Sequence, residues 1–313
     1  MPVLDKEQFV GRDFICLQDF TPEEIIHMLK VAKALKEERK AGIPHPVLQG
    51  KTLAMIFTKS STRTRVAFEA GMIQLGGHAL FLSNRDIQIG RGEPIKDTAR
   101  VLSRMVDGIM IRTHSHQDVI ELAQYAQIPI INGLSDFLHP TQVLADLLTI
   151  QEHKNRLEGL KMTYIGDGNN MAHSLMFAGK MGMHVVIASP AGYKPDPQVV
   201  ATAQEQAKKN GGLVEWIEDP LVAAKEADVL YTDVWASMGQ EEESQIRMRD
   251  FQGYQINGET MKTAKSDAII MHCLPAHRGE EITEEVLEGA QSVVFDEAEN
   301  RLHAHKAIMA LLL

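Results

Sequence analysis

Short apolar runs alternate along this chain with stretches whose apolar residues return every three or four positions. The first pattern reads as buried strands, the second as amphipathic helices. In the first half, 51–57, 78–82, 107–112 and 128–132 predict strands, while 64–75, 95–105 and 119–124 predict helices. In the second half the predicted strands are 162–166, 184–188, 214–217, 228–232, 268–272 and 292–295, with helices at 172–181 and 197–210. Such alternation builds βαβ units and parallel sheets. The expected fold is α/β, with two domains near a boundary at residue 150, each a parallel sheet flanked by helices, joined by interdomain helices. The stretch 140–153 keeps helical spacing through Val143, Leu144, Leu147 and Leu148, so it is expected to bridge the halves. A last helix, 297–313, is expected to pack its apolar end back on the first half. A ligand is expected in a cleft between the two sheets.

Composition narrows the picture. A chain of 313 residues, 44% hydrophobic and 24% charged, can bury the cores of two ordinary globular domains. No apolar run approaches the roughly 20 residues that cross a bilayer, and residues 1–10 carry acids without the hydrophobic region of a secretory signal. Two cysteines, Cys16 and Cys273, cannot make a disulfide framework. Together these point to the cytoplasm, with no membrane association. A formal charge of −10 argues against nucleic-acid binding, though not against small anions held by local arginines.

In open α/β sheets, ligands sit outside the carboxyl ends of the strands. The first strand leads into Lys59-Ser60-Ser61-Thr62-Arg63-Thr64-Arg65 and then a helix. Hydroxyls, arginines and exposed amides at a helix N-terminus suit a phosphate. Taken alone, the cluster reads equally as a capped surface helix. The other strand ends add Arg112, His139 with Pro140, Thr141 and Gln142, then Asn170, Asp233 and Cys273. Each has a bland alternative: His139 as a core histidine, Cys273 as an inert thiol, Asp233 as a turn former. Jointly they read as a two-substrate transferase, with an anionic donor in the first half and an amine acceptor in the second. The acid-rich stretch 237–244 reads as a lid or as a solvated loop. His114, His116, His303 and His305 lack metal-ligand spacing, and Gly166-Asp167-Gly168-Asn169-Asn170 lacks the G-x-G-x-x-G of a nicotinamide site. Neither a metal nor a cofactor is expected.

These residues resemble those of the carbamoyltransferases. Ser61-Thr62-Arg63-Thr64-Arg65 is similar to the family's carbamoyl phosphate motif, and His139-Pro140-Thr141-Gln142 to its second. The resemblance covers essentially the whole chain, including Gln88 and Lys96-Asp97-Thr98-Ala99-Arg100. The acceptor motifs resemble the ornithine branch: Asp233 with Ser237-Met238-Gly239 is similar to its D-x-x-x-S-M-G element, and His272-Cys273-Leu274-Pro275 to its H-C-L-P element. Aspartate-type members have proline at Cys273, and putrescine-type members have another sequence in the loop. One departure is Arg91-Gly92-Glu93, where some members carry His-Lys-Glu.

The resemblance implies an enzyme of arginine metabolism. Its substrates would be carbamoyl phosphate and the δ-amine of L-ornithine, its products L-citrulline and phosphate. Residues 1–150, with 297–313, would bind carbamoyl phosphate; residues 151–296 would bind ornithine. Carried over by motif, Ser61, Thr62, Arg63, Thr64, Arg112, His139, Pro140, Thr141, Gln142, Cys273, Leu274 and Arg301 would hold the donor. Gln88 would join them from an adjacent subunit, giving a homotrimer or a multiple of one. Asn170, Asp233, Ser237 and Met238 would hold ornithine, with Cys273, Asp233, Arg112 and His139 acting in catalysis. Two readings stay open beside this one: carbamoylation of another amine such as putrescine, and a binding protein of the same fold without turnover.

Overall fold

The computed structural model describes residues 4–236 and 243–313. The chain divides into two compact units, one of Met1–Leu148 with Glu299–Leu313, the other of Thr149–Ala298. Two helices, Pro140–Lys154 and Val294–Leu312, each contribute residues to both.

The first unit holds a parallel sheet of β1 (Thr52–Phe57), β2 (His78–Ser83), β3 (Gly108–Arg112) and β4 (Ile130–Leu134), in the order β2-β1-β3-β4. The inner strands β1 and β3 are buried almost throughout, as expected where both faces are covered by helices. Ile56, Ile109, Ile111 and Leu122 share one core with Ile130. The edge strand β2 is half-buried or exposed at every position. Helix Thr62–Gln74 follows β1 and starts at Ser61, whose side chain accepts from the Thr64 amide. Helix Pro22–Lys40 was not among the predicted elements. Its signal is present in the sequence: Thr21 and Glu24 form a capping box, with Pro22 at the first helical position.

The second unit holds β5 (Lys161–Ile165), β6 (His184–Ala188), β7 (Leu213–Ile217), β8 (Val229–Thr232) and β9 (Ile269–His272), all parallel, in the order β7-β6-β5-β8-β9. Ile165, Val186, Leu230 and Ile270 pack with Phe251 in its core. The strand predicted at 292–295 does not form. Ser292 makes a single bridge to Ile270, and from Val294 the chain is helical. Four apolar-leaning residues do not distinguish a strand from the start of a buried helix, and Asp296 and Glu297 favour a helix N-terminus by charge. The helix predicted at 172–181 is α-helical only over Asn170–Met176 and tightens into a 3-10 turn over Phe177–Met181. Among the described residues no helix is long and apolar enough to cross a membrane.

Strand order reverses between β1 and β3 in the first unit and between β5 and β8 in the second. Those switch points are where a doubly wound sheet opens a crevice at the carboxyl ends of its strands.

Candidate active site

At the first switch point, β1 runs into the N-terminus of helix Thr62–Gln74. The Ser61 hydroxyl donates to Thr64 Oγ1 at 3.2 Å while accepting from the Thr64 amide at 3.2 Å. Arg301, on helix Val294–Leu312, donates from Nη2 to the same Thr64 Oγ1 at 2.7 Å. Thr64 and Arg301 are buried, Arg63 is half-buried and Thr62 is exposed. An arginine and a helix N-terminus thus converge on one hydroxyl, a positive setting suited to an anion.

Arg112 ends β3 and is buried; its carbonyl accepts from the Thr58 and Lys59 amides, which draws the loop after β1 against β3. Lys59, given no role in the sequence reading, is also buried, and its Nζ donates to Asp136 Oδ1 at 2.9 Å. The only hint was its place directly before the hydroxyl–arginine motif. His139 is buried just before helix Pro140–Lys154. Burial drives its pKa well below the usual imidazole range, helped by Arg301, Arg112, His305 and Lys59, so its ring is neutral at neutral pH. A neutral imidazole keeps one N–H to donate. Pro140 opens that helix, Thr141 donates to the Gly133 carbonyl at 3.4 Å, and the Gln142 amide donates to Asp146 at 2.8 Å. Gln88 stands apart. It is exposed, opens the 3-10 turn Gln88–Arg91, and shares no described hydrogen bond with this cluster.

At the second switch point, Asn169 caps helix Asn170–Met176 by accepting from the Met171 and Ala172 amides, which leaves Asn170 buried at its first turn. Asp233, buried just past β8, accepts from the Val234 amide at 2.8 Å. On β9, His272 is fully buried. Its Nδ1 accepts from the Leu274 amide at 2.9 Å, which puts the proton on Nε2, where it is donated to Glu281 at 2.9 Å. One polar side-chain atom each from Asp233, His272 and Cys273 lie within 4.8 Å of one another. That spacing could suit a metal, but both His272 nitrogens are already engaged, so the histidine has no lone pair to offer. Cys273 is half-buried, and the turn after it places Leu274 at φ 57°, a backbone region that leucine rarely adopts.

Asp167, at the end of β5, pairs with Arg247 at 2.6 Å, both side chains nearly buried. Arg247 also donates to the Trp235 carbonyl at 2.9 Å and to Glu243 at 3.0 Å. Burial pushes the Asp167 pKa up, against the pull of Arg247. No local motif marks this pair, because its members stand 80 residues apart. Ser237 and Met238, expected at the acceptor, lie outside the described residues, as does most of the 237–244 stretch.

The chain's similarity to known proteins follows the same division. Residues 12–152 match the family model "Aspartate/ornithine carbamoyltransferase, carbamoyl-P binding domain", and residues 158–312 match the corresponding "Asp/Orn binding domain". The chain belongs to the aspartate/ornithine carbamoyltransferase family. It is 60% identical over 304 residues to the ornithine carbamoyltransferase of Thermococcus kodakarensis, covering 97% of this chain and 96% of the relative. It is 58% identical over 304 residues to the anabolic ornithine carbamoyltransferase of Pyrococcus furiosus, again covering 97% and 96%. A solved structure of the ornithine carbamoyltransferase from Pyrococcus furiosus superposes with a TM-score of 0.94 at 57% identity, covering 97% of both chains.

Proposed function

We propose that this enzyme transfers the carbamoyl group of carbamoyl phosphate to the δ-amine of L-ornithine, giving L-citrulline and phosphate. The observation that carries the acceptor side is the gathering of Asp233 and Cys273 around the buried His272 at the ends of β8 and β9. A carboxylate beside a thiol at the mouth of a sheet suits an alkyl ammonium that must lose a proton before it attacks. On the donor side, Ser61, Thr62, Arg63 and Thr64 hold the phosphate, and Arg301 fixes Thr64. Arg112, neutral His139 and Thr64 donate to the carbonyl oxygen as it gains charge; Gln142 orients the carbamoyl nitrogen and Leu274 contributes through its backbone. Removing one such preorganised donor typically lowers turnover on the order of a hundredfold or more. Asp233 holds the ammonium, which gives one proton to the Cys273 thiolate; the amine nitrogen then bonds to the carbamoyl carbon, the carbon–oxygen bond to phosphate breaks, and the departing phosphate takes the nitrogen's second proton.

Residues 1–150 with 297–313 serve the donor and 151–296 the acceptor. Ornithine's α-ammonium and carboxylate are assigned to Asn170, Ser237 and Met238. Gln88, exposed on its own unit, reaches the donor of a neighbouring subunit in a homotrimer or a multiple of one. The enzyme works in the cytoplasm in arginine metabolism, and its similarity to the anabolic ornithine carbamoyltransferase of Pyrococcus furiosus supports the biosynthetic direction.

A colorimetric citrulline assay tests the reading. L-ornithine with carbamoyl phosphate should yield citrulline, and putrescine should be a poorer acceptor by about 10⁴, since polar groups built for a carboxylate reject the analogue that lacks it. Equal turnover of the two amines refutes ornithine as the acceptor.

A further inference from the structure

Tyr164 sits on β5 opposite Tyr231 on β8, which in turn sits opposite Met271 on β9. Side chains alternate between the two faces of a strand. Two residues further along, Gly166, Asp233 and Cys273 therefore continue the face that Tyr164, Tyr231 and Met271 occupy. The Tyr164 and Tyr231 rings lie 6.1 Å apart on that face. Tyr164 also leans toward the carboxyl end of its strand: a Cβ placed on Gly166 would stand 2.9 Å from the Tyr164 hydroxyl oxygen. Only glycine at 166 leaves that path open. The phenol is fully buried, yet its oxygen has no hydrogen-bond partner among the described residues, whereas the neighbouring Tyr231 hydroxyl donates to Glu297 at 3.1 Å. Buried hydroxyls are nearly always partnered, so one left open beside a catalytic cluster asks for an explanation.

We infer that the Tyr164 hydroxyl is a positioning group of the acceptor site, which donates to the Asp233 carboxylate when an amine is bound and turns it toward that amine. Asp233 is the nearest acidic residue on that face: Asp167, three positions along β5 from Tyr164, falls on the opposite face, β8 adjoins β5, and β9 lies one strand further on. One Asp233 oxygen, Oδ1, already takes the Val234 amide. The groups that act electrostatically on the phenol are Asp233, Asp167, Cys273 and Glu281, of which Asp167 is paired with Arg247 and Glu281 with His272. Burial first, then these anions, push the Tyr164 pKa well up, so it remains a proton donor through the working range. A hydrogen bond from the phenol to the Asp233 carboxylate fixes its orientation, so that it meets the ammonium without first having to reorient.

The inference rests on the function proposed above, and Tyr164→Phe tests it by removing one oxygen without changing the ring. The variant should raise the ornithine KM about 10-fold or more while leaving the carbamoyl phosphate KM within about twofold. Without substrates it should melt about 2–6 °C higher, because an unpartnered buried hydroxyl has gone. Higher stability with weaker ornithine binding is not what a purely structural tyrosine would show. A lower Tm would overturn the inference, since it would mean the hydroxyl is already partnered. An unchanged ornithine KM in an enzyme that makes citrulline would overturn it as well. Absence of citrulline from the unmutated enzyme would refute the proposed function and this inference with it.

Discussion

Arg247→Met separates the packing role of a buried charge from its effect on the acceptor. Arg247 and Asp167 meet at 2.6 Å with side chains 8% and 10% exposed, so the pair is close to dry. Removing one partner of such a pair strands the other charge and costs about 3–5 kcal/mol. At roughly 2–4 °C per kcal/mol for a chain of this size, Tm should fall by about 6–20 °C. The deficit should depend on pH. Burial already raises the Asp167 pKa with Arg247 present, and without it the carboxyl must rise further above its unfolded value. A group whose folded pKa is raised is destabilising once ionised, so the deficit should be small at acidic pH and grow as pH rises through the folded pKa. Asp167→Asn in the same chain removes the stranded charge and should restore most of the loss. In the assay, the ornithine KM should increase about 10-fold, because Arg247 fastens both Asp167 and the Trp235 carbonyl, which follows Asp233. The carbamoyl phosphate KM should stay within about twofold, its proposed ligands being mostly in the other unit. A single variant melting within about 2 °C of the parent, or a double variant no more stable than the single, would refute the reasoning.

Arg63→Ala should abolish citrulline formation while preserving the circular dichroism spectrum, and wild-type turnover at saturating carbamoyl phosphate would remove Arg63 from the donor site. Gln88→Ala and Cys273→Ala proteins, each inactive alone, should regain activity when mixed under subunit exchange; no recovery after proven exchange argues against sites shared between subunits. Lys306 is fully buried, donates to His45 at 2.6 Å and to Gln74 at 3.1 Å, and burial pulls its pKa down to about 8. Its folded pKa lies below the unfolded one, so its stability contribution is lost as pH falls through about 8 and present above about 10.4. The Tm of the parent relative to Lys306→Met should therefore rise between about pH 8 and 10; a flat difference would refute the shift.

Much of the architecture is legible as pattern. The inner strands β1, β3, β5, β6 and β8 are largely apolar runs because helices cover both faces, and such runs stand out in a sequence. The failure at 292–295 has the same origin, since a short apolar run carries no period of its own. On the donor side the sequence could bring together Ser61 and Thr64, whose contact is local, but Arg301 reaches Thr64 across 237 positions and came in only through family resemblance. Arg247 and Tyr164 were passed over for a different reason. One looks like a surface cation on a short helix and the other like an ordinary core aromatic. What makes each consequential is a neighbour brought by the sheet, Asp167 for one and Gly166 with Asp233 for the other.

The long reach between Thr64 and Arg301 also has a consequence in time. A ribosome adding about 5–20 residues per second needs roughly 12–47 s to travel the 237 positions that separate them. During that interval β1 to β4 have been synthesised, but the segment Glu299–Leu313 that completes their unit has not. The second unit, Thr149–Ala298, is continuous and can close first. The nascent first unit meanwhile presents uncovered apolar surface, where Gly71 and Phe68 await Met309 and His305. The donor site is thus among the last parts of the protein to exist, and a chain released before Arg301 would carry a finished acceptor unit beside an unfinished one.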